Sequence, residues 1–87
     1  MTASNASIPT REELAEALDA AGSAHHEYEQ TALNGVRHKE WAVFYAAYVL
    51  GRLGDFAPPS SLTKWLAKAP LTDNWAKTAA DYILSRI

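Results

Sequence analysis

The 87-residue chain has no cysteine. That excludes a disulfide staple, a thiolate metal site and a cysteine nucleophile. Long apolar runs are missing too: none approaches the roughly 20 residues that span a bilayer, so no membrane partner is expected. The opening stretch, residues 1–9, has neither a basic nor an apolar region, so no signal peptide is expected and the expected location is cytoplasmic. Neither sign of charge dominates. Eight basic and ten acidic residues leave a net charge of -2, and a pI near 5.8 argues against a general nucleic-acid binder. There is no phosphate-cradling Gly-rich loop and no Gly-x-Ser-x-Gly elbow. No segment alternates polar and apolar as a half-buried strand does.

What is present is ordinary globular composition, 48% apolar and 21% charged. A chain this short buries roughly 60% of its unfolded surface, enough for one modest core. One domain over residues 10–87 is expected, behind a flexible polar tail at residues 1–9. Charge is uneven: residues 1–34 carry one basic and six acidic side chains, and residues 35–87 carry seven basic and four acidic. Either an acidic first helix packs beside basic neighbours, or it offers an acidic face to a basic partner.

The pattern predicts four helices. Thr10-Arg11-Glu12-Glu13 fits a capping box, which starts the first helix at Arg11. Leu14, Leu18, Ala21, His25, Tyr28 and Ala32 are spaced 4, 3, 4, 3, 4, a seam that keeps phase through Gly22. The helix is therefore expected to run unbroken to about Leu33, with Asn34-Gly35 as a left-handed stop. A second helix is expected from about His38 to Leu53. Its middle, Trp41 to Leu50, is apolar or aromatic on every side. Such a helix must be covered all round or meet another subunit, so it is expected at the centre. After an extended Pro58-Pro59 linker, Ser60 or Ser61 is expected to cap a short third helix ending near Ala69. Thr72 or Asp73 is expected to cap a fourth that runs nearly to the C-terminus, with Trp75, Ala79, Tyr82, Ile83 and Ile87 facing inward. The expected fold is all-α: a small four-helix bundle, two long helices in an antiparallel hairpin plus two shorter C-terminal ones.

Candidate chemistry gathers in Ala24-His25-His26-Glu27-Tyr28-Glu29. His25 and Glu29 are i,i+4, and His26 and Glu29 are i,i+3, so each pair shares a face. An antiparallel hairpin turning between Gly35 and Val36 sets opposite each other positions that sum to about 71. His25 then faces Tyr45 and Ala46, Glu29 faces Trp41 and Ala42, and Tyr48 lies near Ser23. His25, His26, Glu29, Trp41, Tyr45 and Tyr48 form the candidate ligand-binding set: aromatic walls with a few polar tips. The plainer alternative is a closed core in which the tyrosine and indole groups pair with His25 and Glu29. A metal site would need His38 as a third ligand. Neither the Glu-x-x-His pair of di-iron bundles nor His-Glu-x-x-His is present, so no metal and no cofactor are expected. Lys64, Lys68 and Lys77 beside Trp65 and Trp75 read as solvating charge, not as a nucleic-acid surface.

Residues 24–50, with Ala-His-His-Glu-Tyr-Glu followed by Trp41-Ala42-Val43-Phe44-Tyr45-Ala46-Ala47-Tyr48, resemble small uncharacterised bacterial all-helical proteins. That resemblance implies a bacterial helical protein and carries no activity with it. Two functions stand at this level. The first is a helical binding or accessory module that meets a second copy of itself, or another protein, through an aromatic-lined groove or face. The second is a small-molecule pocket, enzymatic or not, in which His25 or His26 handles a proton, Glu29 orients it, and Tyr45 and Tyr48 donate hydrogen bonds. They differ in whether His25, Glu29 and Tyr45 line an open cavity or a closed core.

Overall fold

The computed structural model describes residues 8–35 and 40–87. Four helices follow in order: α1 (Arg11–Thr31), α2 (Trp41–Leu53), α3 (Pro59–Lys68) and α4 (Trp75–Leu84). There is no strand among the described residues. No helix there is long and apolar enough to cross a membrane.

The start of α1 has its two orphan donors satisfied reciprocally. The Glu13 amide donates to Thr10 Oγ1 at 3.1 Å, and the Thr10 amide donates to Glu13 Oε1 at 2.9 Å. The helix passes through Gly22 unbroken. It stops where Asn34 and Gly35 take φ of 53° and 83°, and the Gly35 amide donates back to the Glu29 carbonyl at 2.8 Å. Gly54, at φ 94°, ends α2 with a positive φ that glycine takes without penalty. The expected beginning of the second helix at His38 lies outside the described residues, as do residues 1–7 of the expected tail. Pro9 is buried.

Two helix starts differ from expectation. α3 begins at Pro59, with Pro58 as its N-cap, not at Ser60 or Ser61. Proline has no amide to leave unpaired in the first turn, and its fixed φ suits the first helical position. α4 begins after Asn74, which makes no side-chain cap bond. Thr72 instead ties the preceding loop to α4, with its hydroxyl 2.7 Å from that of Thr78. Ile87 is exposed, not inward.

The packed pairs are α1 with α2, α1 with α4, α2 with α3 and α3 with α4. Each helix thus stands at a corner with two neighbours, and none is central. This overturns the expectation that Trp41–Leu50 is surrounded. A corner helix has an outer side, and on α2 that side carries Val43, 52% exposed, and Ala47. Only Ala46, Val49 and Leu50 of α2 are buried. The interior is filled by Leu14 and Leu18 of α1, Val49 of α2, Leu62 and Leu66 of α3 and Ile83 of α4. Alanines 17, 21, 46, 79 and 80 lie among them and let the helices approach closely. A surface ion pair, Arg11 to Asp81 at 2.6 Å, joins α1 to α4; half-exposed as it is, it adds little.

Candidate functional site

The helical seam of α1 puts His25 against α2. It is the buried polar residue of the core, 8% exposed, and its ring meets Phe44 at 5.0 Å and Tyr45 at 5.7 Å, both edge-on. Tyr28, one turn further, stacks at a tilt on Phe44 at 5.6 Å and is itself exposed. The seam residues Leu14, Leu18, Ala21 and His25 are buried, whereas Tyr28 and Ala32 are not. α1 therefore outruns the core at its C-terminal end, and that overhang makes room for a groove.

The groove has a volume of about 600 Å³ and is open to solvent. That lies within the usual range for small-molecule sites, about 300–1,000 Å³. Its lining is His25, His26, Glu29 and Gln30 from α1, Gly35 from the turn, Trp41 and Tyr45 from α2, and Leu71 from the loop before α4. Five of the six candidate residues therefore share one cavity. The sixth, Tyr48, does not line it and packs on the core. The reason is depth along the helix. Tyr45 closes the inner end of the groove, its hydroxyl lying 3.0 Å from where a Cβ on Gly22 would stand. Tyr48 is nearly a turn deeper, on the core side of that closure.

Three residues of the lining were not singled out by sequence. Gln30 sits on the His26 face, one turn on, and helical spacing was signal enough to find it. Gly35 belongs to the turn that stops α1. Leu71 comes from a loop, where no periodicity marks which side chain folds back. It is 87% exposed, an apolar side chain at the groove's mouth.

No family model, curated protein or solved structure matches this chain. The groove is therefore read from its own geometry.

Trp41 and Tyr45 build its apolar end, and Trp75 packs against both. Trp41 and Tyr45 are 5.3 Å apart with planes at 84°. Trp75 stands at 75° to the first and 82° to the second, 5.7 and 5.6 Å away. Three rings close to mutually perpendicular form a rigid corner, each edge against a neighbour's face. Trp75 reaches α2 from α4, across the diagonal of the bundle, and locks the corner from behind. Its indole Nε1 is buried without a hydrogen-bond partner.

Polarity enters from α1. Burial pushes the Tyr45 phenol above its ordinary value near 10, and the negative charges of Glu29 and Asp19 push it the same way. At neutral pH Tyr45 is a neutral donor and acceptor at the groove's inner end. Among the described residues no three His, Asp or Glu side chains gather as metal ligands. His38, the third ligand a metal would have required, lies outside the described residues.

Proposed function

We propose that this protein is a small-ligand-binding module and that its site is the groove between α1 and α2. One observation carries the reading: His25, Glu29 and Tyr45 line an open cavity of about 600 Å³ and not a closed core. Trp41 and Tyr45 supply flat apolar walls, while His26, Glu29 and Gln30 supply hydrogen-bonding groups along one edge. The reading includes an antiparallel α1–α2 pair. It is supported by Gly22 meeting Tyr45 while Tyr28, further along α1, meets Phe44. The proposal is confined to binding.

The test is a fragment panel screened against the ¹⁵N-labelled chain by amide and indole chemical shift. Binding fragments should move His25, Glu29, Gln30, Trp41, Tyr45 and Leu71 together, and Trp41→Ser should abolish the shifts. A panel that moves no residue of the groove would overturn the proposal.

A second reading, association with a second copy, is favoured by a different surface. The outer side of α2 exposes Val43 and Ala47, and the exposed Tyr28 of α1 packs on Phe44 of the same helix. Sedimentation velocity over a concentration series tests it.

A further inference from the structure

The stop of α1 is also a place where the chain can change its own covalent structure. Asn34 and Gly35 are both exposed, with φ of 53° and 83°. They suit the turn because asparagine and glycine tolerate the left-handed region. The same pair is among the most reactive asparagine steps in a polypeptide. The backbone nitrogen of the next residue attacks the asparagine side-chain carbonyl, and glycine has no Cβ to obstruct it. Around Gly35 there is open space, with nothing within 4 Å of where a Cβ would stand. The chain has two other asparagines. Asn5 lies outside the described residues. Asn74 precedes Trp75, whose bulky ring, packed against Trp41 and Tyr45, hinders the same approach.

We propose that Asn34 is a site of spontaneous deamidation, restrained by the hydrogen bond that ends α1. A bond forms between the Gly35 nitrogen and Asn34 Cγ. The Gly35 N–H proton passes to water, and the side-chain nitrogen leaves as ammonia. A water molecule then opens the five-membered imide at either carbonyl, and nothing is oxidised or reduced. One product is aspartate. The other is isoaspartate, whose backbone runs through the side-chain carbon. The restraint is visible in the fold: the N–H that must be lost donates to the Glu29 carbonyl at 2.8 Å. While that bond stands, the nitrogen is no nucleophile. Reaction passes through conformers in which the end of α1 has opened, and helix ends open at small free-energy cost. The folded chain therefore reacts slowly. Isoaspartate adds one atom to the backbone between positions 34 and 35, so the return bond to Glu29 loses its register and the stop loosens. Gly35 lines the groove, so part of the groove wall shifts with it.

The test incubates the full chain at mildly alkaline pH for several weeks, with and without urea, and follows it by peptide mass spectrometry. Exchange of ammonia for water is a gain of about one dalton and takes the net charge from -2 to -3. The gain should appear in the peptide holding Asn34 before the one holding Asn74, with isoaspartate among the products. It should run at least about tenfold faster in urea, where the end of α1 is open. Asn34→Gly keeps a residue that accepts positive φ and should abolish the gain in that peptide. The isoaspartate form, resolved by anion exchange, should exchange its Gly35 amide proton faster than the fresh chain. A folded chain that gains no mass at Asn34, or gains it first at Asn74, overturns the site. Equal rates with and without urea overturn the restraint, and unchanged Gly35 exchange overturns the loosening.

Discussion

Tyr45 is the residue on which the groove turns. Its ring is pinned by His25, Trp41 and Trp75, and its hydroxyl fills the space above Gly22. Gly22 lies mid-helix, where alanine is ordinarily better by about 1 kcal/mol. A Cβ there would meet the Tyr45 hydroxyl at 3.0 Å, and a ring held by three neighbours yields little. Gly22→Ala should therefore fail to stabilise the wild-type protein. In a Tyr45→Phe background the nearest remaining atom, Cζ, is 3.8 Å away, an ordinary contact. There the same substitution should stabilise by about 1 kcal/mol. A denaturation double-mutant cycle reads the difference, and equal effects in the two backgrounds would show that Tyr45 does not occupy that space. The phenol also has a pH signature. Its pKa is raised in the folded chain, so above pH 10 the unfolded chain loses this proton first. The folded state then holds more protons than the unfolded, and stability falls as pH rises. Below that range the stability is fully present and does not vary with pH. Tyr45→Phe should make the alkaline limb of the stability curve shallower, as melts from pH 8 to 11 will show.

At the scale of the element, legibility followed periodicity. α1 carries a phased seam, a reciprocal cap and an Asn-Gly stop; the cap and the stop stand where the residues put them, and the seam is buried as far as His25. The cap is testable. Thr10→Ala removes the acceptor for the Glu13 amide and should cost about 1 kcal/mol, which Thr10→Ser should largely restore. Loss in both variants alike would mean the threonine acts through its methyl group. α2 has no phase to read. With apolar residues on every side, its sequence cannot say which face turns inward, so its corner position was not legible. Counting from the turn set Tyr45 and Trp41 against His25 and Glu29, and all four line the same groove. Tyr48 was carried along by the same count, since counting does not say where the cavity ends. Pro59 was read as linker although it is a sound first residue of a helix. Leu71 had no local signal at all, because a loop's approach to a groove is decided by tertiary packing.

At the scale of the molecule, four corner helices leave each with an outer side, and α2 is the one whose outer side is not polar. Val43 is 52% exposed, Ala47 and Gly51 follow it at one-turn spacing, and Arg52 is the helix's one charged residue. Tyr28 of α1 extends the strip through its contact with Phe44. Single exposed apolar residues are ordinary, but a run of them along one helix face is a candidate contact surface. The small side chains at 47 and 51 would let a second α2 approach closely. If two copies pair there, Val43 is buried in the dimer and exposed in the monomer. Val43→Asp should then shift the protein to monomer at concentrations where the wild type sediments as a dimer. It should leave the monomer's own melting temperature nearly unchanged, because no intramolecular packing is lost. Both parts are needed. A wild type that stays monomeric to high micromolar concentration removes self-association from the reading. A Val43→Asp protein that melts much lower would show that Val43 packs within its own chain. The two surfaces share no lining residue, so they can be tested separately: Trp41→Ser should abolish fragment binding in the groove and leave the sedimentation profile as it was.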